Sequence, residues 1–287
     1  MDRRSFDESR RYVKTSFGRI AYVERGSGPV AIFVHGFPLN GFQWRDVIES
    51  LGDGRRCVAL DQMGLGHTEV APDRSLRLPD QAAMIGEVAS ALGADRIDLV
   101  GNDSGGGICQ AFAARHPERV RSLALTNCEV HDYWPNEALR NFYDSWRSGA
   151  VVPAMKAMLT DPSIARAAFA PAYEDPSHLT DEVVRVYLEP ILANEERIAT
   201  LARLALSNTD PALTVALEPA LKRLRAPTLV IWGDADVFFD SRSKNWLQRT
   251  IPGFRRLISI PEGKLFFPEE RPAVVASALR KLWADAA

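Results

Sequence analysis

One seven-residue stretch limits the fold more than any other. Val100-Gly101-Asn102-Asp103-Ser104-Gly105-Gly106 follows a short apolar run ending at Val100 and precedes a helix-period stretch at 108–115. A strand that turns directly into a helix brings the two backbones so close that the positions flanking the turn must be small. Gly101 and Gly105 meet that need and put Asp103 at the apex. Placing Ser104 at the apex would make Asn102 a flanking residue, which fits poorly. The free amides and positive dipole end of the following helix favour an ionised carboxylate at the apex.

The rest of the chain supplies a sheet for that turn. Short apolar runs at 30–34, 57–60, 96–100, 123–126, 228–232 and 256–260 alternate with helix-period segments at 78–92, 108–115 and 272–286. An antiparallel hairpin is expected over 12–24. The alternation predicts an α/β fold, a mostly parallel sheet flanked by helices. Residues 129–225 break the rhythm: they contain no clear strand, are rich in helix formers and are punctuated by eight prolines from Pro135 to Pro219. They read as a helical lid inserted between two strands, dividing the chain into a core of 1–128 and 226–287 and a lid of 129–225. Such an insertion leaves the sheet at its carboxyl edge, where open α/β sheets hold ligands.

Composition excludes several classes. With 46% hydrophobic residues the chain buries a sizeable core, and 35 Lys+Arg against 37 Asp+Glu give no basic surface for nucleic acid or anionic membrane. No window is long and apolar enough to span a bilayer, and the N-terminus lacks a secretory pattern. Cys57, Cys109 and Cys128 show neither metal-ligand spacing nor a disulfide framework, so buried packing thiols in a reducing cytoplasm are expected. No feature asks for a metal or an organic cofactor. A small-molecule substrate and a monomer or homodimer are the expected partners.

Four segments carry a resemblance beyond these patterns: the apex turn at Asp103, His35-Gly36-Phe37-Pro38, Asp61-Gln62-Met63-Gly64-Leu65-Gly66-His67-Thr68 and Trp232-Gly233-Asp234-Ala235-Asp236. Together they resemble the α/β-hydrolase superfamily, in its aspartate-nucleophile branch of epoxide hydrolases and haloalkane dehalogenases. The resemblance implies that Asp103 attacks carbon to form an alkyl-enzyme ester, that the backbone N–H groups of Phe37 and Ser104 form an oxyanion hole, and that Asp236 is the acid that orients a histidine base. It implies no metal and no organic cofactor.

The sequence departs from that family at its base. Gly263-Lys264-Leu265-Phe266 places Leu265 where the family's pattern has histidine. His131, near the end of the strand after the apex turn, is the first candidate for a relocated base. His35, Trp134 and Tyr143 are candidates to line a substrate pocket, and Tyr133, Tyr173 and Tyr187 are further tyrosines available to protonate an opening ring. Ser104 stands where many dehalogenases carry a halide-binding tryptophan, and Ser104 to Gly107 contain none of the arginines of the fluoroacetate-dehalogenating members. The expected activity is therefore hydrolysis of a small molecule through Asp103. The alternatives are an isomerase, cyclase or lyase that uses Asp103 as an acid or base, or a ligand-binding member without turnover.

Overall fold

The structure, a computed structural model, describes residues 1–52 and 54–285. The expected hairpin is formed by β1 (Arg11–Thr15) and β2 (Gly18–Arg25). Six further strands follow: β3 (Val30–Val34), β4 (Arg56–Leu60), β5 (Ile97–Asp103), β6 (Val120–Cys128), β7 (Thr228–Gly233) and β8 (Phe254–Ile260). They form one sheet in the order β1-β2-β4-β3-β5-β6-β7-β8. The pairs β1/β2 and β2/β4 are antiparallel, and every later pair is parallel.

The central strands explain their sequences. Every residue of β3, β5 and β7 is buried, as expected of parallel strands covered on both faces. Helices Leu78–Ala91 and Ser104–Arg115 pack against each other, as do Arg45–Leu51 and Pro272–Asp285. The expected end of the last helix, Ala286, lies outside the described residues. The elbow helix begins at Ser104 rather than at 108, so Gly105, Gly106 and Gly107 are helical despite the low helix propensity of glycine. Packing demands them: a Cβ on Gly105 would lie 2.2 Å from the Val34 carbonyl oxygen, and one on Gly106 would lie 2.3 Å from Cys128 Cβ. Gly101 is under the same constraint, since a Cβ there would come within 2.6 Å of the Gly105 carbonyl oxygen.

Between β6 and β7 the described chain forms helices and turns only, the longest being Glu137–Arg147, Asp181–Leu192 and Glu195–Ser207. Asn136, Thr180 and Asn194 cap their amino ends by accepting backbone N–H bonds. Cys57, Cys109 and Cys128 are buried free thiols. Among the described residues no helix is long and apolar enough to cross a membrane.

Candidate active site

β5 ends at Asp103, whose φ of +53° lies in a region that few non-glycine residues occupy. The strained turn lifts the side chain out of the sheet edge into a cavity of about 290 Å³. Phe37 donates its N–H to Asp103 Oδ2 at 2.7 Å. Gly36 makes this approach possible, because a Cβ there would sit 2.9 Å from both Cβ and Oδ2 of Asp103. The Phe37 amide expected from the His-Gly-Phe-Pro loop is thus at the carboxylate.

The neighbours are fixed by buried polar groups. Asn102 donates to Thr126 Oγ1 and to the Leu265 carbonyl, both at 2.9 Å, and accepts from Gln43 Nε2 at 2.7 Å. Ser104 Oγ lies 3.2 Å from Gln62 Nε2, which also donates to the His35 carbonyl. No histidine touches the Ser104 hydroxyl among the described contacts.

The walls of the cavity are mostly apolar. Phe37, Phe142 and Trp146 pack edge to face, with centroids 5.8–6.2 Å apart. Leu265, Phe266, Met155 and Met158 complete much of the surface, and Tyr143 and Glu129 add polar groups. The Trp146 indole nitrogen is buried without a hydrogen-bond partner. Among the described residues no Lys, Arg or His lines the cavity.

Three of the expected site residues lie away from the cavity. His131 is not brought to the cavity: its Nδ1 meets Asp132 Oδ1 at 2.7 Å, its Nε2 meets Glu218 Oε2 at 3.1 Å, and its ring stacks on Trp246 at 4.9 Å. Two flanking carboxylates hold the ring in the loop. His35 is fully buried, with Nδ1 on its neighbour's carbonyl (Gly36, 2.8 Å) and Nε2 accepting the Gln62 amide at 3.0 Å. Burial keeps it neutral, and it braces the loop rather than lining the cavity. Trp134 is buried and donates to Thr214 Oγ1 at 2.8 Å, again outside the cavity. Tyr143 does line it. Tyr173 and Tyr187 instead give their hydroxyls to Glu269, each at 2.8 Å.

Asp236 is held by Asn127 Nδ2 at 2.8 Å and the Phe238 amide at 2.9 Å. It does not line the cavity, but its charge is felt by Asp103. The cavity residue that the sequence motifs do not point to is Glu129. It follows β6 directly, and β6 pairs Cys128 with Asp103, so the two carboxyls sit on adjacent strand ends. That placement was available from the strand order once β5 and β6 were known to be neighbours.

Electrostatics set this site apart. Burial holds the Asp103 carboxyl well above its usual range, with Glu129 and Asp236 adding repulsion and the Phe37 and Ser104 amides opposing it. Burial also raises Glu129 to about 7, opposed by its own amide and that of Gly107. Two such carboxyls oppose each other's ionisation, since a charge on one raises the cost of a charge on the other. Hydrogen bonding favours an ionised Asp103 over an ionised Glu129, since Asp103 has the Phe37 N–H and the helix amino end whereas Glu129 Oε2 has no side-chain partner.

This arrangement fixes a pH dependence of stability. Burial raises Asp236 to about 7 as well. Carboxyls with raised values bind more protons in the folded than in the unfolded state between about pH 4 and 7, so stability falls as pH rises through that window. The expected result is a melting temperature that is lower at pH 8 than at pH 5. Glu129→Gln should raise stability at pH 8 by up to about 3 kcal/mol and change it little at pH 4, as read by thermal melts across the range. A wild-type profile that rises from pH 5 to 8 would contradict this charge assignment.

Comparison with known proteins agrees with this architecture. The family described as "alpha/beta hydrolase fold" matches residues 29–271. Haloalkane dehalogenase 2 of Mycobacterium tuberculosis is 31% identical over 280 residues, covering 94% of this chain and 93% of that protein. Epoxide hydrolase 3 of Xenopus tropicalis is 26% identical over 293 residues, covering 93% of this chain and 75% of that protein. The crystal structure of haloalkane dehalogenase DbeA from Bradyrhizobium elkani superposes with a TM-score of 0.78 at 23% identity, covering 96% of this chain and 99% of that one, a similarity of fold.

Proposed function

The chain belongs to the α/β-hydrolase fold family, and from that premise we propose that it is a hydrolase of small apolar electrophiles, of the haloalkane-dehalogenase and epoxide-hydrolase type, with Asp103 as its nucleophile. The observation that carries this reading is the Asp103 carboxylate, held at a strained turn, tied by Oδ2 to the Phe37 amide and facing an apolar cavity. A carboxylate in such a site is a weakly solvated anion placed against the carbon of a bound ligand. Attack gives an ester on Asp103. Water then adds to the ester carbonyl, and the Phe37 and Ser104 N–H groups receive the developing oxyanion. Residues 129–225 act as the lid, contributing Phe142, Tyr143 and Trp146 to the wall.

Ser104 is the weaker nucleophile here, since its hydroxyl contacts Gln62 and no base. Asp236 adds negative charge near the site without touching the ligand. A second reading rests on two raised carboxyls, Asp103 and Glu129, lining one cavity: the pair would then do acid/base chemistry in an isomerase, cyclase or lyase, with no covalent step.

The two readings separate by intact-protein mass spectrometry after rapid quenching with styrene oxide or 1-bromobutane. An adduct of the whole epoxide, or of the butyl group, that maps to Asp103 and is missing in Asp103→Asn is the expected result. Turnover with no adduct at any quench time would shift the assignment to acid/base chemistry. Neither adduct nor product with these compounds or wider panels would leave a binding protein.

A further inference from the structure

The missing histidine raises the question of what moves protons in this cavity. Among the described residues Glu129 is the one carboxyl besides Asp103 on its surface. Its backbone is anchored, with Gln110 Nε2 donating to its carbonyl at 2.8 Å. Its side chain runs over Gly107, where an added Cβ would come 3.1 Å from Oε2. Glu129 keeps some accessible surface, yet Oε2 is closed to solvent and takes no hydrogen bond. A buried carboxyl oxygen without a partner in an otherwise well-bonded core asks for a ligand or a reacting group. The titratable groups that feel its charge are Asp103 from β5, Cys128 from β6 and Tyr143 from the helical segment. All are neutral or anionic, so among the described residues lining the cavity no cation balances a Glu129 charge.

Resting on Asp103 as the nucleophile, we propose that Glu129 is the proton carrier of the site, an acid in the first step and a base in the second, and that the substrates are apolar epoxides. The cycle begins with Asp103 ionised and Glu129 protonated. An Asp103 oxygen bonds to an epoxide carbon, the carbon–oxygen bond of the ring breaks, and Glu129 gives its proton to the departing oxygen. The result is a hydroxyalkyl ester and an ionised Glu129. A water then adds to the ester carbonyl while Glu129 takes one of its protons. The tetrahedral intermediate expels the alkoxide, which takes the remaining proton from the newly formed Asp103 carboxyl. A diol leaves, and both carboxyls return to their starting states. An alkyl halide consumes no proton when halide departs, so it leaves Glu129 protonated and the site must lose a proton to solvent before water can be activated. The proton balance therefore favours the epoxide.

The test compares wild type, Glu129→Gln and Glu129→Asp with styrene oxide and 1-bromobutane, following both turnover and the Asp103 adduct. Glu129→Gln should lower kcat for styrene oxide by about 10²–10⁴-fold and remove the neutral-range limb of the pH–rate profile. With 1-bromobutane it should still form the butyl ester on Asp103, which then persists. Glu129→Asp should retain a shifted pH limb and part of the turnover. An adduct that forms and decays at the wild-type rate in Glu129→Gln, with the pH profile unchanged, would overturn the role of Glu129 and leave Asp103 standing. Failure of every protein, wild type included, to form an adduct would overturn the Asp103 reading and this one with it. Thermal melts distinguish a misfolded variant, since Glu129→Gln is expected to be at least as stable as wild type at pH 8.

Discussion

Replacing Asp103 with asparagine is expected to lower turnover of epoxides and alkyl halides by about four orders of magnitude or more, with the fold intact. The amide keeps the size of the side chain and tolerates positive φ better than most residues. It also removes a buried charge that Glu129 and Asp236 repel, so stability should hold or rise. What is lost is the anion: a neutral amide oxygen is a poor nucleophile toward carbon, and no other cavity residue offers a carboxylate already bonded to the Phe37 amide. Ser104→Ala is the matched control, expected to cost less than tenfold because the hydroxyl only touches Gln62. Steady-state kinetics on the two variants decide between the neighbouring residues. An Asp103→Asn protein within tenfold of wild type, or a Ser104→Ala protein that is inactive, would move the nucleophile.

The largest stability effect is expected at Glu269. This carboxylate is only 1% exposed, pairs with Arg45 Nη1 and accepts the hydroxyls of Tyr173 and Tyr187. Arg45 comes from the helix after the His35 loop, and the two tyrosines come from the inserted segment, so one carboxylate ties that segment to the core. Burial would lower the Arg45 guanidinium, but Glu269 beside it overcomes this and raises it. Glu269→Ala would strip a largely buried guanidinium of its closest anion, leaving it only Asp46 at 3.4 Å and the Phe42 carbonyl at 3.2 Å, and would leave two buried phenols without their acceptor. Such losses cost about 3–5 kcal/mol, much more than an exposed pair. Urea denaturation should show that cost. Tyr173→Phe and Tyr187→Phe should cost about 1–2 kcal/mol each, having lost one charge-assisted bond without stranding a charge. A Glu269→Ala cost below about 1 kcal/mol would mean that the cluster does not anchor the segment.

Much of this architecture is legible in the sequence because close packing leaves little choice. Gly101 and Gly105 can be read as flanks of a sharp turn, since any Cβ there meets backbone within 2.6 Å. The fully buried β3 and β7 appear as unbroken apolar runs because both faces are covered. Other elements are hidden for stated reasons. Helix Ser241–Thr250 carries few apolar residues, four of its ten being buried, so periodicity says little. The start of the helix Ser104–Arg115 is hidden by three glycines, two of which, Gly105 and Gly106, are dictated by Val34 and Cys128 rather than by propensity.

The site is legible in backbone and less so in side chains. Asp103 and Phe37 follow from loop position. His131 follows from the same reasoning but lies away from the cavity, because a strand order fixes which edge a residue occupies but not where its side chain turns. Its ring is taken by Asp132 and Glu218, and Glu218 lies 87 residues later. Glu129 shows the reverse case. A charged residue next to a histidine reads as its partner, and only the pairing of Cys128 with Asp103 reveals that it faces the cavity instead. The tyrosines divide in the same way: Tyr143 lines the cavity, while Tyr173 and Tyr187 serve Glu269.

The most direct test of a covalent Asp103 mechanism is a single turnover in heavy-oxygen water with enzyme in excess over styrene oxide. The account predicts a diol carrying no heavy oxygen, because its new oxygen comes from the Asp103 carboxylate, and an Asp103 peptide that gains one. A diol bearing the heavy oxygen, with Asp103 unlabelled, would mean that water attacks carbon directly and would contradict the ester intermediate.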